Sequence, residues 1–175
     1  DHHYVFPPGL DDAIDIEIAA AQRLGLRFVA TRGSMNRSQR DGGLPPDSVV
    51  QDEDTILADS ERLIARWHDK SPLAMVQIAL APCSPFSVTT SLMRATAELA
   101  ARTGVRLHTH LAETADETAF CQQMHGCRPL DYLDECGWLH DRVWLAHGIH
   151  FDTVEMARLA RAGVTRSFTS SMARS

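Results

Sequence analysis

Two strand-like segments near the middle of the chain end in residues that could bind a metal and move a proton. His108 and His110 share one face of a strand because they are two residues apart, and Glu113 follows three residues later. His147 ends the next such segment, and Gly148 after it permits close approach of the backbone. Neutral imidazole is a good ligand for Zn²⁺ or Fe²⁺, and a nearby carboxylate can accept a proton from water. The pattern therefore predicts metal-dependent hydrolysis.

Each of these residues also has an ordinary interpretation, which spacing alone leaves open. A histidine at a strand end is commonly structural, and Glu113 could be a solvent-facing residue at the start of an acidic stretch. Cys83 follows another strand-like segment, where it could line a pocket or be a small buried residue. We interpret His2 and His3 as an ordinary pair of loop residues.

The elements that would position these residues alternate between helix and strand. Apolar residues at helical spacing, with capping signals at either end, predict helices over residues 12–24, 52–67, 89–103, 116–124, 129–136 and 152–162. Short apolar runs predict strands over residues 26–30, 74–81, 105–110, 142–147 and 164–168. Five helix-to-strand units without hairpin signals favour an α/β fold with a parallel sheet, either doubly wound or part of a (β/α)8 barrel.

A long loop over residues 32–48, rich in Gly, Pro and Ser, follows the first predicted strand. In either architecture ligands bind at the carboxyl ends of the strands, so we expect a lid or substrate loop, with a plain surface excursion as the alternative. Arg32 at the start of this loop, Cys83 and His108 are the candidate substrate contacts.

Composition and missing motifs exclude several classes of protein. The 17 Lys and Arg against 23 Asp and Glu give a formal charge of −6, and no Lys/Arg-rich stripe or membrane-length apolar run is present. We therefore expect no nucleic-acid or membrane partner. The dinucleotide, P-loop and nucleophile-elbow motifs are absent, and Phe86 stands where the zinc nucleobase deaminases with a P-C-x-x-C motif need a second cysteine.

The four cysteines form no C-x-x-C pair, and the first residues do not resemble a secretion signal. We therefore expect reduced thiols and a cytoplasmic protein.

Four segments of the chain carry a family resemblance. They are Asp1-His2-His3-Tyr4-Val5-Phe6-Pro7, Ala81-Pro82-Cys83-Ser84-Pro85-Phe86-Ser87-Val88, His108-Thr109-His110-Leu111-Ala112-Glu113 and Leu145-Ala146-His147-Gly148-Ile149-His150. Together they resemble the amidohydrolase superfamily, and within it the branch of cytosine, guanine and triazine aminohydrolases. The similarity runs from residue 1 to about residue 163. It departs over residues 166–172, where relatives continue with a pattern like H-C-P-x-S-N-M.

The resemblance implies a (β/α)8 barrel with one divalent metal, Zn²⁺ or Fe²⁺, at the carboxyl rim. It implies that His110 is the metal ligand of the family's fifth strand and that Glu113 is the acid/base that shuttles protons. His147 would be the sixth-strand histidine that orients the attacking hydroxide. The resemblance also implies a small heterocyclic substrate and a homo-oligomeric full-length protein.

The family's other ligands, an H-x-H on the first strand and an Asp on the eighth, have no counterpart in this sequence. We therefore expect residues 1–175 to be one partial barrel domain, about strands 3 to 7, that lacks the first two strands and the last. Such a chain would be an internal segment of a longer protein.

The family's reaction is hydrolytic deamination of a heterocycle, and the alternatives concern the ring. The segment Ala81–Phe86 differs from the Pro-Arg-Phe of guanine deaminases, which favours a purine-like ring of the 8-oxoguanine type. A hydroxyatrazine or another s-triazine is the alternative substrate. Two other hypotheses stay open: the chain is inactive by itself, or it is an unrelated doubly wound binding module with incidental histidines.

Overall fold

A computed structural model of the chain describes residues 1–167 and contains one sheet of five parallel strands in the order β1-β2-β3-β4-β5. The strands are β1 (Phe28–Ser34), β2 (Val76–Pro82), β3 (Arg106–Leu111), β4 (Val143–His147) and β5 (Thr165–Ser167). The helices are α1 (Ala13–Arg23), α2 (Glu53–Trp67), α3 (Thr90–Thr103), α4 (Ala115–His125), α5 (Pro129–Glu135) and α6 (Thr153–Ala162). Most of the divergent stretch 166–172 lies outside the described residues.

The strand order distinguishes the two predicted architectures. Each strand pairs with the next one along the chain, so every crossover steps in the same direction across the sheet. A doubly wound sheet reverses direction at a switch point, whereas a (β/α)8 barrel does not. The sheet is therefore a segment of a (β/α) barrel, and the doubly wound alternative is wrong.

Side-chain caps fix where the helices begin. The side chains of Asp52, Thr89, Thr114 and Asp152 each accept a hydrogen bond from the backbone N–H three residues later, at the starts of α2, α3, α4 and α6. Asp152 and Glu155 form the reciprocal capping box that their spacing predicts. Among the helices of residues 1–167, none is both long and apolar enough to cross a membrane.

The core lies between the sheet and the helices, and strand alternation decides which side chains enter it. In β3, Leu107 and Leu111 are fully buried in this core, whereas His108 and His110 point to the opposite face of the sheet. Trp138, also fully buried, anchors the connection between α5 and β4, since its indole N–H donates to the carbonyl of Met93 in α3 at 2.9 Å. The histidine-bearing face is thus separated from the helix-packed core.

The first strand is longer than predicted, which corrects the boundary of the loop over residues 32–48. The sequence predicts a strand that ends at Ala30 because Thr31, Arg32 and Ser34 are polar. In the structure β1 continues to Ser34 and pairs with β2 along its whole length. These polar residues are buried, and each lies in register with a residue of β2. The loop begins after Ser34 and contains two short 3-10 turns, Gln39–Asp41 and Asp47–Val49.

Candidate active site

His110, the predicted metal ligand, lies near the carboxyl end of β3 with its ring orientation fixed by the backbone. Its Nδ1–H donates to the carbonyl oxygen of Cys83 at 2.9 Å, and its backbone N–H donates to the same oxygen at 3.0 Å. This hydrogen bond sets the tautomer and leaves Nε2 as the nitrogen with a free lone pair. A ring held in this way suits a metal ligand, whose other nitrogen is usually bonded to a carbonyl or carboxylate.

His108 lies two residues earlier on the same face and is held by β4. Its Nδ1–H donates to the carbonyl oxygen of Trp144 at 2.9 Å, and its ring stacks on the Trp144 indole with the centroids 4.7 Å apart. His108 therefore also directs Nε2 away from its backbone partner. The side chain is buried, on the face of the sheet opposite the helix-packed core.

His2 joins these two histidines because residues 2–4 run alongside β1. A parallel bridge pairs His3 with Arg32, and Gly33 N–H donates to the carbonyl oxygen of His3 at 2.8 Å. Strand alternation then turns His2 and Tyr4 toward β3, while His3 turns back to Glu17 of α1. The His2 ring stacks on His110 with a centroid distance of 4.6 Å.

Close contact between two backbones makes this arrangement possible. A Cβ atom on Gly33 would overlap the carbonyl oxygen of His3 and would lie 2.6 Å from the Cβ of Tyr4. Glycine at position 33 therefore allows residues 2–4 to lie against β1.

The histidines of this cluster are uncharged at neutral pH. Burial, reinforced by the neighbouring His108, lowers the pKa of His2 to about 3. Burial also lowers the pKa of His108 to about 4 and lowers the pKa of His110. Neutral imidazoles have the lone pairs that metal coordination requires.

Glu113 sits just beyond β3 on a turn that a second glutamate holds. Ala112 before it adopts a left-handed conformation with φ of 52°. The buried carboxylate of Glu117 accepts hydrogen bonds from the backbone N–H groups of Ala112 and Glu113 at 2.8 and 2.9 Å. Burial raises the pKa of Glu117 to about 7. Glu117 thus fixes the backbone that carries Glu113, whose own side chain is 47% exposed.

His147 at the end of β4 faces Glu113 across the gap between the two strands. Alternation would turn His147 toward the core with Val143 and Leu145, but its left-handed φ of 66° redirects the side chain. Its Nε2 lies 3.5 Å from Oε2 of Glu113, and its ring centroid lies 5.2 Å from that of His110. The structure thus brings His110, Glu113 and His147 together, as the sequence predicts.

A cavity of about 760 Å³ opens at the carboxyl ends of β2, β3 and β4, and these three residues line it. Cys83 and Tyr4 also line it. Burial raises the pKa of the Cys83 thiol to about 11, so this thiol is protonated at neutral pH and is a poor nucleophile. The pKa of Tyr4 is raised as well, first by the neighbouring Cys83 thiol and then by burial.

Arg32 lies on the other face of the sheet, away from this cavity. Phe28, Ala30 and Arg32 alternate toward the helices, and the Arg32 guanidinium donates to Asp59 of α2 at 3.0 Å. Arg32 is 1% exposed, and its guanidinium also lies over the ring of Phe6. Of the three candidate substrate contacts, Cys83 and His108 line the cavity and Arg32 does not.

The sequence analysis assigns no site role to His2 and Tyr4, both of which line the cavity. His2 is placed in a loop by the sequence interpretation, and Tyr4 receives no role there. The signal that could have found them is the alternation within Asp1-His2-His3-Tyr4, which puts positions 2 and 4 on one face of an extended segment.

The residues present fit a divalent metal. His110 offers Nε2, while the buried Nδ1 of His2 has no hydrogen-bond partner among the described residues. Buried polar atoms are rarely left without a partner, so this nitrogen marks a position where a ligand is expected. A metal here would lie beside Glu113 and His147, a carboxylate and an imidazole able to exchange protons with water.

Two curated enzymes are similar in sequence to most of this chain. The chain is 62% identical over 163 residues to the 8-oxoguanine deaminase of Pseudomonas aeruginosa, which covers 93% of this chain and 36% of that protein. It is 40% identical over 164 residues to the hydroxydechloroatrazine ethylaminohydrolase of Pseudomonas sp. strain ADP, which covers 93% of this chain and 34% of that enzyme. The chain thus spans about a third of the length of these curated relatives.

Solved structures show the same fold. The atrazine chlorohydrolase of Arthrobacter aurescens TC1, in complex with zinc, superimposes with a TM-score of 0.90 at 38% identity over 95% of this chain and 37% of that one. The model of the amidohydrolase family matches residues 2–174. This match rules out an unrelated binding module, and the chain belongs to the amidohydrolase family.

Proposed function

We propose that this chain is the central part of a metal-dependent aminohydrolase that deaminates a purine-like ring of the 8-oxoguanine type and releases ammonia. The observation that carries the proposal is the convergence of His110, Glu113 and His147 on one cavity. The 62% identity to an 8-oxoguanine deaminase supports the choice of ring.

Residues 1–175 would then form one partial barrel domain of a longer protein. The metal would be Zn²⁺, by analogy with the zinc complexes among the solved relatives, with Fe²⁺ as the alternative. The cytoplasmic location with reduced thiols stays a prediction. The homo-oligomeric state stays a prediction.

In the proposed reaction, a bound metal supplies Lewis-acid activation of the attacking water. His110 would hold the metal through Nε2, because its Nδ1–H donates to the carbonyl oxygen of Cys83. The Glu113 carboxylate takes a proton from the water and returns it to the ring nitrogen. Glu113 then takes the remaining proton of the added hydroxyl group and gives it to the leaving amine. Water and the C–NH₂ group thereby become a carbonyl and ammonia.

His147 has a positioning role in this scheme. Its Nε2 lies 3.5 Å from the Glu113 carboxylate, so it can orient that group or the water between them. Left-handed backbone at Ala112, next to Glu113, and at His147 accompanies the placement of the Glu113 and His147 side chains at the same cavity. Glu113 thus carries the proton, and His147 orients Glu113 or the water.

The test uses the complete protein that contains this chain, metal-loaded and assayed for ammonia release from 8-oxoguanine, guanine and hydroxyatrazine. We expect at least about tenfold faster release from 8-oxoguanine than from the other two rings. Release from hydroxyatrazine alone would establish the s-triazine alternative, which the 40% identity to a hydroxydechloroatrazine ethylaminohydrolase motivates. If none of the three rings releases ammonia although one metal is bound, the proposed reaction is wrong.

The assigned proton carrier is tested by Glu113→Gln in the same protein. We expect kcat to fall by about 10²–10⁴-fold while the metal content stays at the wild-type value, because glutamine cannot carry the proton. Glu98→Gln is the matched control, since Glu98 is exposed on α3 and should leave kcat unchanged. Activity retained in Glu113→Gln would reject this role.

A further inference from the structure

We propose that Glu117 is a positioning residue for the deamination, whose carboxylate holds Glu113 where that group can carry the proton. The inference rests on the proposed function, in which Glu113 is the proton carrier. Glu117 is 1% exposed and is not among the described residues that line the cavity. It therefore acts on the reaction through Glu113 and not by touching the substrate.

The turn that carries Glu113, residues 111–113, is held on its N–H side by both oxygens of the Glu117 carboxylate. Oε1 accepts from the N–H of Ala112 at 2.8 Å, and Oε2 accepts from the N–H of Glu113 at 2.9 Å. Hydrogen bonds to an ionised acceptor are the stronger kind, and two of them together fix the direction of the turn. Glutamine has one acceptor oxygen and an NH₂ group that cannot accept, so it could satisfy only one of these N–H groups.

A comparison with Glu155 shows that this arrangement serves the turn. Glu117 and Glu155 are each the third residue of a helix, α4 and α6. Glu155 accepts from the N–H of Asp152, the N-cap of α6, in an ordinary capping box. Glu117 reaches past the N-cap of α4, Thr114, to the N–H groups of the two residues before it. A capping box would be enough to start the helix, so the longer reach holds the residues that precede it.

The carbonyl side of the same turn is bonded to the loop that follows β4. The N–H groups of residues 148 and 149 donate to carbonyl oxygens of the turn at 2.9 and 2.8 Å. This loop directly follows His147, whose Nε2 lies 3.5 Å from the Glu113 carboxylate. The turn thus lies between the Glu117 carboxylate and the loop of His147. Loss of the Glu117 hydrogen bonds would therefore change the distance between Glu113 and His147.

The turn needs this support because its backbone is strained and its functional side chain is free to move. Ala112 has a left-handed φ of 52°, which residues with a side chain rarely adopt. The Glu113 side chain is 47% exposed, so the backbone that carries it largely sets its position. Glu117 supplies rigidity from the buried side of the turn.

The experiment compares Glu117→Gln with wild type in the complete, metal-loaded protein that contains this chain. Ammonia release is measured from whichever of 8-oxoguanine, guanine and hydroxyatrazine the wild type deaminates fastest. We expect kcat per bound metal to fall at least about tenfold, because a misplacement of about 1 Å can cost about 10²-fold in rate. KM should stay within about twofold of wild type, since Glu117 does not contact the substrate. A loss of folded protein alone would leave kcat per bound metal unchanged.

Asp15→Asn is the matched control. Asp15 is also a largely buried carboxylate with two partners, since it accepts from the Arg62 guanidinium and the Trp67 indole at 2.7 Å each. It lies between α1 and α2 and is not among the described residues of the cavity. The substitution should lower Tm and leave kcat per bound metal within about twofold of wild type.

A second variant keeps the test decisive if Glu117→Gln does not fold. Glu117→Asp keeps the charge but is one methylene shorter, so it cannot reach both N–H groups, and we expect kcat per bound metal to fall at least about threefold. Wild-type kcat in the variant that folds, or a rise in KM without a fall in kcat, would overturn the positioning role and leave the proposed function standing. If the wild-type protein releases ammonia from none of the three rings, the proposed function is wrong and this role is wrong with it.

Discussion

Left-handed backbone conformations occur at both ends of the strands, but the residue types that adopt them differ between the two ends. Before β1, β3 and β5, the chain turns through left-handed glycines, Gly25, Gly104 and Gly163, with φ between 67° and 80°. At the carboxyl ends of β3 and β4, left-handed conformations occur at Ala112 and His147, which carry side chains, as well as at Gly148. A side chain in this conformation costs about 1–2 kcal/mol relative to its ordinary backbone, whereas glycine pays almost nothing.

Left-handed residues that carry side chains show where this fold tolerates backbone strain. Leu73, before β2, is a third left-handed residue with a side chain, but it is 77% exposed and lies in a loop. Ala112 and His147 instead lie beside Glu113 and are tied to each other's loops, since Ile149 N–H donates to the Ala112 carbonyl at 2.8 Å. Strain concentrated at such positions is typical of functional sites.

The largest expected effect on stability lies at the carboxyl end of β3. Glu117→Ala leaves the backbone N–H groups of Ala112 and Glu113 buried without their acceptor, and we expect the free energy of unfolding to fall by about 2–4 kcal/mol. Urea denaturation of the 175-residue chain measures this. Glu98→Ala on the exposed face of α3 is the control, with an expected change within about 0.5 kcal/mol. A loss equal to that of the control would show that Glu117 does not hold the turn.

A smaller loss of stability is expected at the amino end of β3. Gly104→Ala forces a side chain into φ of 80° with no neighbouring atom within 4 Å, so the cost is conformational, about 1–2 kcal/mol by urea denaturation. Gly104→Asn is the comparison variant and should lose less, because asparagine tolerates the left-handed region. Equal stability of Gly104→Ala and wild type would contradict the assigned role of glycine.

Placing glycine at the left-handed position after β3, by Ala112→Gly, should have almost no effect on stability. Ala112→Gly relieves a left-handed side chain but loses a methyl group that is 1% exposed, worth about 0.8 kcal/mol. Glycine also loses more backbone entropy on folding, about 0.5–1 kcal/mol, so the contributions nearly cancel and we expect the free energy of unfolding to change by less than about 0.5 kcal/mol. Destabilisation as large as that of Gly104→Ala would mean that the two ends do not differ in strain.

The smallest effect is a pH dependence at the amino end of the sheet. Burial lowers the pKa of His68 from 6.5, and its Nδ1 accepts a hydrogen bond from Ile78 N–H at 3.1 Å. Because the unfolded chain then binds the proton more readily, His68 reduces stability as pH falls through 6.5 and below. Thermal unfolding between pH 7 and pH 5 should show a shallower loss of Tm in His68→Gln. Identical pH profiles would remove His68 as the cause.

The sequence was sufficient for the elements and for part of the site. Helical periodicity and caps predict the helices to within about two residues, and the ends of two neighbouring strands predict the meeting of His110, Glu113 and His147. His2 could not be found, because its place depends on a bridge between His3 and Arg32, and local pattern does not reveal a pairing across 29 positions.

Arg32 shows how one boundary error changes a residue's interpretation. A strand ending at Ala30 puts Arg32 at the start of a loop near ligands. In the longer strand it shares the helix-facing side with Phe28 and Ala30, and it pairs with Asp59. The redirection of His147 was also invisible, since period-two alternation assumes an ordinary strand backbone.

Gly33 has a consequence for how mutations in this protein would be diagnosed. Any larger residue there would push the backbone of residues 2–4 off β1, and the displacement would be passed to the imidazole of His2. A substitution that touches no histidine would then be recorded as a defect in the histidine cluster. Screens that assign function from loss-of-activity positions would therefore count Gly33 among the residues of the site, although its contribution is the absence of a side chain.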